Sequence, residues 1–99
     1  MIDGSQCRAA RALVQITREK LASLSGVNSD IIEQFERRLA KPSNEQIAQL
    51  RAALERLGAQ FIDENGGGVG VRLKFSRSET KRIADLENEG GISGFDDVP

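Results

Sequence analysis

The chain has 99 residues, with 14 basic and 15 acidic side chains, a formal net charge of -1, and no histidine, tryptophan or tyrosine. With 38% hydrophobic residues it suits one small globular domain, its core built from Leu, Ile, Val, Ala and four Phe, and not a disordered chain. Without histidine the commonest general base and the commonest metal ligand are missing, so we expect no enzyme, no metal site and no cofactor.

Cys7 is the single cysteine, which forbids an intrachain disulfide and fits a reducing cytosol. It reads as a small core residue. No apolar run approaches the ~20 residues of a membrane span, and the first residues lack a basic-then-apolar signal pattern. The expected location is therefore cytoplasmic. A core this thin predicts help from self-association. Charge is uneven: residues 8–41 hold seven Arg/Lys against four acids, net +3, while residues 76–99 hold three against six, net -3.

In chain order, Asp3 with Gln6 reads as a capping box that opens a helix through Val14 or Gln15, with Ala10, Leu13 and Val14 on its apolar edge. Thr17 caps a second short helix, backed by Leu21, Ala22 and Leu24 and closed by Ser25-Gly26-Val27. Asn28 caps a third. Its residues Ile32, Phe35 and Leu39 fall at i, i+3 and i+7, which predicts one inward stripe. Asp30, Gln34 and Arg37 lie on the opposite face. Ala40-Lys41-Pro42 breaks the chain, because proline cannot continue the helical ladder. Ser43 with Gln46 opens a fourth helix, in which Ile47, Leu50, Leu54 and Leu57 repeat at helical spacing up to Gly58.

The period then changes. Gln60 to Glu64 reads as a short extended segment, and Asn65-Gly66-Gly67-Gly68 as a turn. Val69, Val71, Leu73 and Phe75 alternate with Gly70, Arg72 and Lys74, the mark of a half-buried strand. The glycine run is no phosphate-cradling loop, since a strand follows it and not Lys-Ser/Thr and a helix. One hairpin is marginal in water, so it should pack on the fourth helix or pair with a second chain. Ser76 with Glu79 predicts a last helix with little apolar content. These readings divide the chain into a helical unit (3–58), a hairpin and candidate dimerisation element (59–75), a candidate C-terminal helix (76–89) and a flexible acidic tail (90–99).

Two short helices joined by a three-residue, glycine-containing turn make a helix-turn-helix. The stretch ITREKLASLSGVNSDIIEQFERRLAKPS resembles the Xre/Cro-type repressor family position by position, with Leu21-Ala22, Gly26-Val27, Ile32 and Glu36 as its framework. The likeness runs from Gln6 to Phe75. Its later part, RAALERLGAQFIDENGGGVGVRLKF, looks like a bacterial subgroup with a glycine-rich hairpin after the fourth helix.

The resemblance implies a mainly α fold: a four- to five-helix repressor-like helix-turn-helix domain, then a short β-hairpin and a candidate C-terminal helix. It implies that the third helix enters the DNA major groove, with Ser29, Asp30, Ile31 and Gln34 at base edges. Gln34 suits adenine, Asp30 suits a cytosine amino group or the helix dipole, and Ile31 suits a thymine methyl. Thr17, Arg18, Asn28, Arg37, Arg38 and Lys41 are the implied phosphate contacts. Arg37 is equally a candidate i,i+4 partner of Glu33. The resemblance also implies a structural ion pair between Arg11 and Glu36.

The chain departs from the family at three positions. Arg18 stands where the family usually has Gln, and Asp30 where small polar or basic residues are common. Arg38 replaces the usual glycine after the third helix, which predicts that this helix runs a turn further.

The expected function is that of a sequence-specific DNA-binding transcriptional regulator, a repressor acting as a homodimer on a palindromic operator. The alternative is an antitoxin or anti-regulator that binds a partner protein through the acidic segment 85–97.

Overall fold

Among the described residues four helices begin where a short polar side chain captures backbone N–H groups that have no partner inside the helix. The first, α1 (Gly4–Val14), opens with a full capping box: the Asp3 carboxylate accepts from Gln6 N at 2.8 Å, and Gln6 Oε1 accepts from Asp3 N at 3.0 Å. In α2 (Arg18–Ser25) the Thr17 hydroxyl accepts from Lys20 N at 3.0 Å. In α3 (Ser29–Glu36) Asn28 Oδ1 accepts from Asp30 N at 2.7 Å. The capping box of α4 (Asn44–Arg56) joins Ser43 and Gln46 through bonds of 3.1 and 3.0 Å. All four starts fall where the sequence predicts them. The computed structural model describes residues 1–74; the expected helix over 76–89, the tail over 90–99, the acidic segment 85–97 and Phe75 lie outside the described residues.

Helix ends show where the sequence reading needs correction. Gly26 closes α2 in the left-handed region, φ 82°, which a residue without a Cβ adopts freely. Arg38 does the same after α3 at φ 63°, although it is not glycine. The predicted extra turn of α3 is therefore absent: the helix stops at Glu36, and Arg38 holds the conformation that a glycine would favour. The reversal also takes Leu39 out of helical phase. Predicted to extend the inward stripe, Leu39 is 66% exposed, while Ile32 and Phe35 are buried as expected.

The core runs through all four helices. Cys7, Ala10 and Val14 of α1 join Leu21 of α2, Ile32 and Phe35 of α3, and Ile47, Leu50 and Leu54 of α4, with Val27 from the α2–α3 loop. Each fully buried Leu or Ile contributes about 1.5–3 kcal/mol relative to exposure. Contact between α1 and α3 is so close that a Cβ added at Gly4 would overlap the Phe35 carbonyl.

Strands β1 (Ala59–Ile62) and β2 (Gly70–Leu73) pair antiparallel, with Ala59 opposite Leu73 and Phe61 opposite Val71. Each is shorter than the sequence predicts. β1 starts at Ala59, directly after Gly58 takes φ 109°, and Asp63 and Glu64 already belong to the turn. Val69 precedes β2 and is 48% exposed. Within the turn the Glu64 carboxylate accepts from Gly66 N at 2.9 Å and Gly68 N at 3.2 Å, so the glycine loop closes on its own acid.

The hairpin packs on α1 as well as on the expected α4. Gln6 explains the first contact: its Nε2 donates to Gly70 O at 2.9 Å and Ile62 O at 3.2 Å, across a strand pair, while its Oε1 serves the α1 cap. One buried amide thus joins the first helix to the hairpin with its polar groups satisfied. Among the described residues no helix is long and apolar enough to cross a membrane.

Gly4 supplies a test of this packing. Gly→Ala in a helix ordinarily stabilises by about 0.5–1 kcal/mol. Here the contact with the Phe35 carbonyl reverses the sign, and Gly4→Ala should destabilise by about 1–3 kcal/mol through overpacking. Urea unfolding measures this directly; a raised midpoint would contradict the close approach.

Candidate nucleic-acid interface

Only three residues, Gly26, Val27 and Asn28, separate α2 from α3. Ser25 Oγ accepts from Val27 N at 3.1 Å, and buried Val27 anchors the loop in the core. The turn is therefore fixed at both ends, and so is the angle between the two helices.

Glu36, the last residue of α3, is the only buried carboxylate among the described residues, with 1% of its side chain exposed. Arg11 of α1 meets it side-on, Nε to Oε2 at 2.9 Å and Nη2 to Oε1 at 2.9 Å, while Arg11 Nη1 donates to Ile16 O at 3.2 Å. Arg18 of α2 donates from Nε to Oε1 at 3.2 Å. The Cys7 thiol lies 3.5 Å from Oε2. One carboxylate therefore ties three helices together, and the Arg11–Glu36 pair read from the sequence is present.

Titration behaviour follows from this geometry. Burial alone would raise the Glu36 carboxyl, but hydrogen bonds from Arg11, its positive charge and the bond from Arg18 together hold the group below the usual carboxylate range. The same hydrogen bond pushes Arg11 up. Burial, then the Glu36 charge, pushes the Cys7 thiol up, so it is a protonated core residue and no reactive thiolate.

The residues assigned to bases and phosphates differ in exposure and in the partners they already hold. Asp30 and Gln34 are exposed on α3, and Ser29 is half-buried at its start. Ile31 is half-buried and packs against the core, so only part of its side chain faces outward. Thr17 and Asn28 are exposed, but their side-chain oxygens are occupied as helix caps. Arg37 donates to Glu33 at 3.3 Å, the i,i+4 alternative, with Arg37 exposed and Glu33 half-buried. Arg38 and Lys41 are exposed on the segment after α3.

Arg18 departs most from its sequence assignment. Read as a phosphate contact alone, it is half-buried and bonded to Glu36 through Nε. Its two terminal nitrogens make no hydrogen bond among the described residues. Nothing in the local sequence marks this contact, because Arg18 and Glu36 lie on different helices. The Gln6 contacts with the hairpin are of the same kind, since they join residues 56 and 64 positions apart. No protein-family model matches the chain, and no curated protein matches it.

Acidification provides the check on Glu36. An unfolded glutamate titrates near about 4.3, and the folded group lies lower. Between those values the unfolded chain binds a proton that the folded chain refuses. Stability is thus fully present above the unfolded value and is lost as pH falls through the folded one. Urea titrations at descending pH should show this loss for the wild type and a weaker dependence for Glu36→Gln. Identical pH profiles would remove Glu36 from the account. At neutral pH, Glu36→Ala leaves Arg11 without its partner and should cost about 3–5 kcal/mol.

Proposed function

We propose that this protein is a sequence-specific DNA-binding transcriptional regulator, a repressor of the Xre/Cro type working as a homodimer on a palindromic operator. The observation that carries the reading is the α2–α3 pair itself. A three-residue turn joins the helices, Glu36 binds both to α1, and the polar face of α3 is left outward with Gln34 and Asp30 exposed. Such a layout supports a helix-turn-helix reading, in which the second helix is offered to a major groove.

Size supports the same reading. An α-helix with its side chains is about 10–12 Å across, which fits a major groove about 12 Å wide. In this reading Gln34 makes the bidentate contact to adenine, and Asp30 accepts from a cytosine amino group. Ser29 meets a base edge beside them, and the exposed part of Ile31 meets a thymine methyl. Arg37, Arg38, Lys41, Thr17 and Asn28 position the duplex through phosphates, and Arg18 adds its terminal nitrogens.

Glu33 opposes this arrangement, since a carboxylate near phosphates is unfavourable, and Arg37 screens it at 3.3 Å. A monomer with net charge -1 gains little non-specific affinity for a polyanion. Dimerisation compensates by presenting two α3 helices to half-sites one turn apart, ~34–36 Å.

Selection on randomised duplexes tests the proposal: an enriched palindromic motif is expected from the wild type. Gln34→Ala should then lose preference at one position per half-site, worth about 1–3 kcal/mol, and keep its affinity for unrelated duplexes. An unchanged selection profile for Gln34→Ala would overturn the groove assignment.

A further inference from the structure

We propose that the groove between α1 and the C-terminal end of α3 is a phosphate-binding site for the DNA backbone, with Arg8 as a contact outside the α2–α3 pair. The inference rests on the DNA-binding reading and extends it to a helix that the reading leaves idle.

Ser5, Arg8, Ala9 and Ala12 of α1 form one wall of this groove; Arg37 and Arg38 form the other, and Glu36 lies at its base. Both Glu36 oxygens are already engaged by Arg11, Arg18 and the Cys7 thiol, so that carboxylate has little left to offer Arg8 or Arg38. Arg8 is exposed and makes no hydrogen bond or ion pair among the described residues; the same holds for the Arg38 side chain. Arg37 is held only by half-buried Glu33, through one bond of 3.3 Å, among the described residues. Small side chains at Ala9 and Ala12 keep the α1 wall low, so an anion can approach the guanidinium groups from the side.

Helix electrostatics account for part of this arrangement. Cations at the end of α3 complement the negative pole of its dipole, which explains Arg37 and Arg38. Arg8 lies in the first half of α1, nearer the positive pole, and gains nothing from that effect. Glu36 answers Arg11 and Arg18, and among the described residues Arg8 and Arg38 are left without a partner in the same groove as Arg37. Two planar, forked donors without partners, beside a third held only at the surface, are suited to phosphate oxygens. Position agrees: in this reading base edges meet the start of α3, and the groove lies at its other end, about 12 Å away.

The test measures binding of the full chain to a fixed random-sequence duplex over a range of salt concentrations. Wild type is compared with Arg8→Ala, Arg8→Lys and Arg72→Ala. Arg72 is an exposed arginine on the hairpin and controls for net charge. Circular dichroism melting confirms that each variant is folded.

Arg8→Ala should bind several-fold more weakly and lower the slope of log K against log salt by about 0.9, the loss of one phosphate contact. Arg8→Lys should restore most of the slope, and Arg72→Ala should retain it. Equal slopes for Arg8→Ala and Arg72→Ala overturn the site while leaving DNA binding intact. Tighter binding by Arg8→Ala overturns it as well, because the groove would then hold an acidic protein segment in competition with DNA. No salt-dependent binding by wild type sinks the DNA reading itself, and this inference with it.

Discussion

The placement of every surface described above depends on one buried carboxylate. Glu36 sits at the end of α3 and accepts from α1 through Arg11 and from α2 through Arg18. Taking a charge out of water is expensive, so such a group persists only when its oxygens are fully engaged. The Arg11 fork supplies a bidentate partner, Arg18 a third hydrogen bond, and the Cys7 thiol closes the remaining side. Its strength lies less in net stability than in direction. An apolar contact would let the three helices slide, whereas a forked ion pair accepts few geometries. The α2–α3 turn is thereby held against α1 in one orientation.

That constraint also resolves a conflict in the charge pattern. A chain with net charge -1 and three acids on or near its exposed helix makes a poor match for a polyanion at first sight. Glu36 is inward and answered, Glu33 is paired with Arg37, and Asp30 lies in the first turn, where a negative charge favours the helix. What faces outward is more basic than the composition suggests. Arg8, Arg37, Arg38 and Lys41 form its positive edge.

Much of this was legible in the sequence, because local rules govern it. Capping residues bond within their own turn, so Asp3, Thr17, Asn28 and Ser43 marked all four helix starts. Helical periodicity found Ile32, Phe35, Ile47, Leu50 and Leu54 in the core, and the resemblance supplied Arg11 with Glu36. The misreadings arose where backbone conformation or long-range contact decides. Arg38 in the left-handed region ends α3 and turns Leu39 outward, although an arginine gives no hint of positive φ. Arg18 reaching Glu36, and Gln6 bridging Ile62 and Gly70, join segments far apart in the chain. Periodicity carries no information on such pairs. The groove of Arg8, Arg37 and Arg38 is of the same kind, since nothing in either segment marks the other as a neighbour.

Backbone amide NMR during titration with a duplex tests the proposal that Glu36 holds α2 and α3 so that one continuous face meets DNA. The account predicts shifts concentrated from Thr17 to Lys20, from Asn28 to Gln34 and from Arg37 to Lys41, with smaller ones around Arg8. The outer face of α4 and the glycine turn at 65–68 should stay still. Shifts confined to the hairpin, or spread evenly over the surface with none in α3, would contradict it.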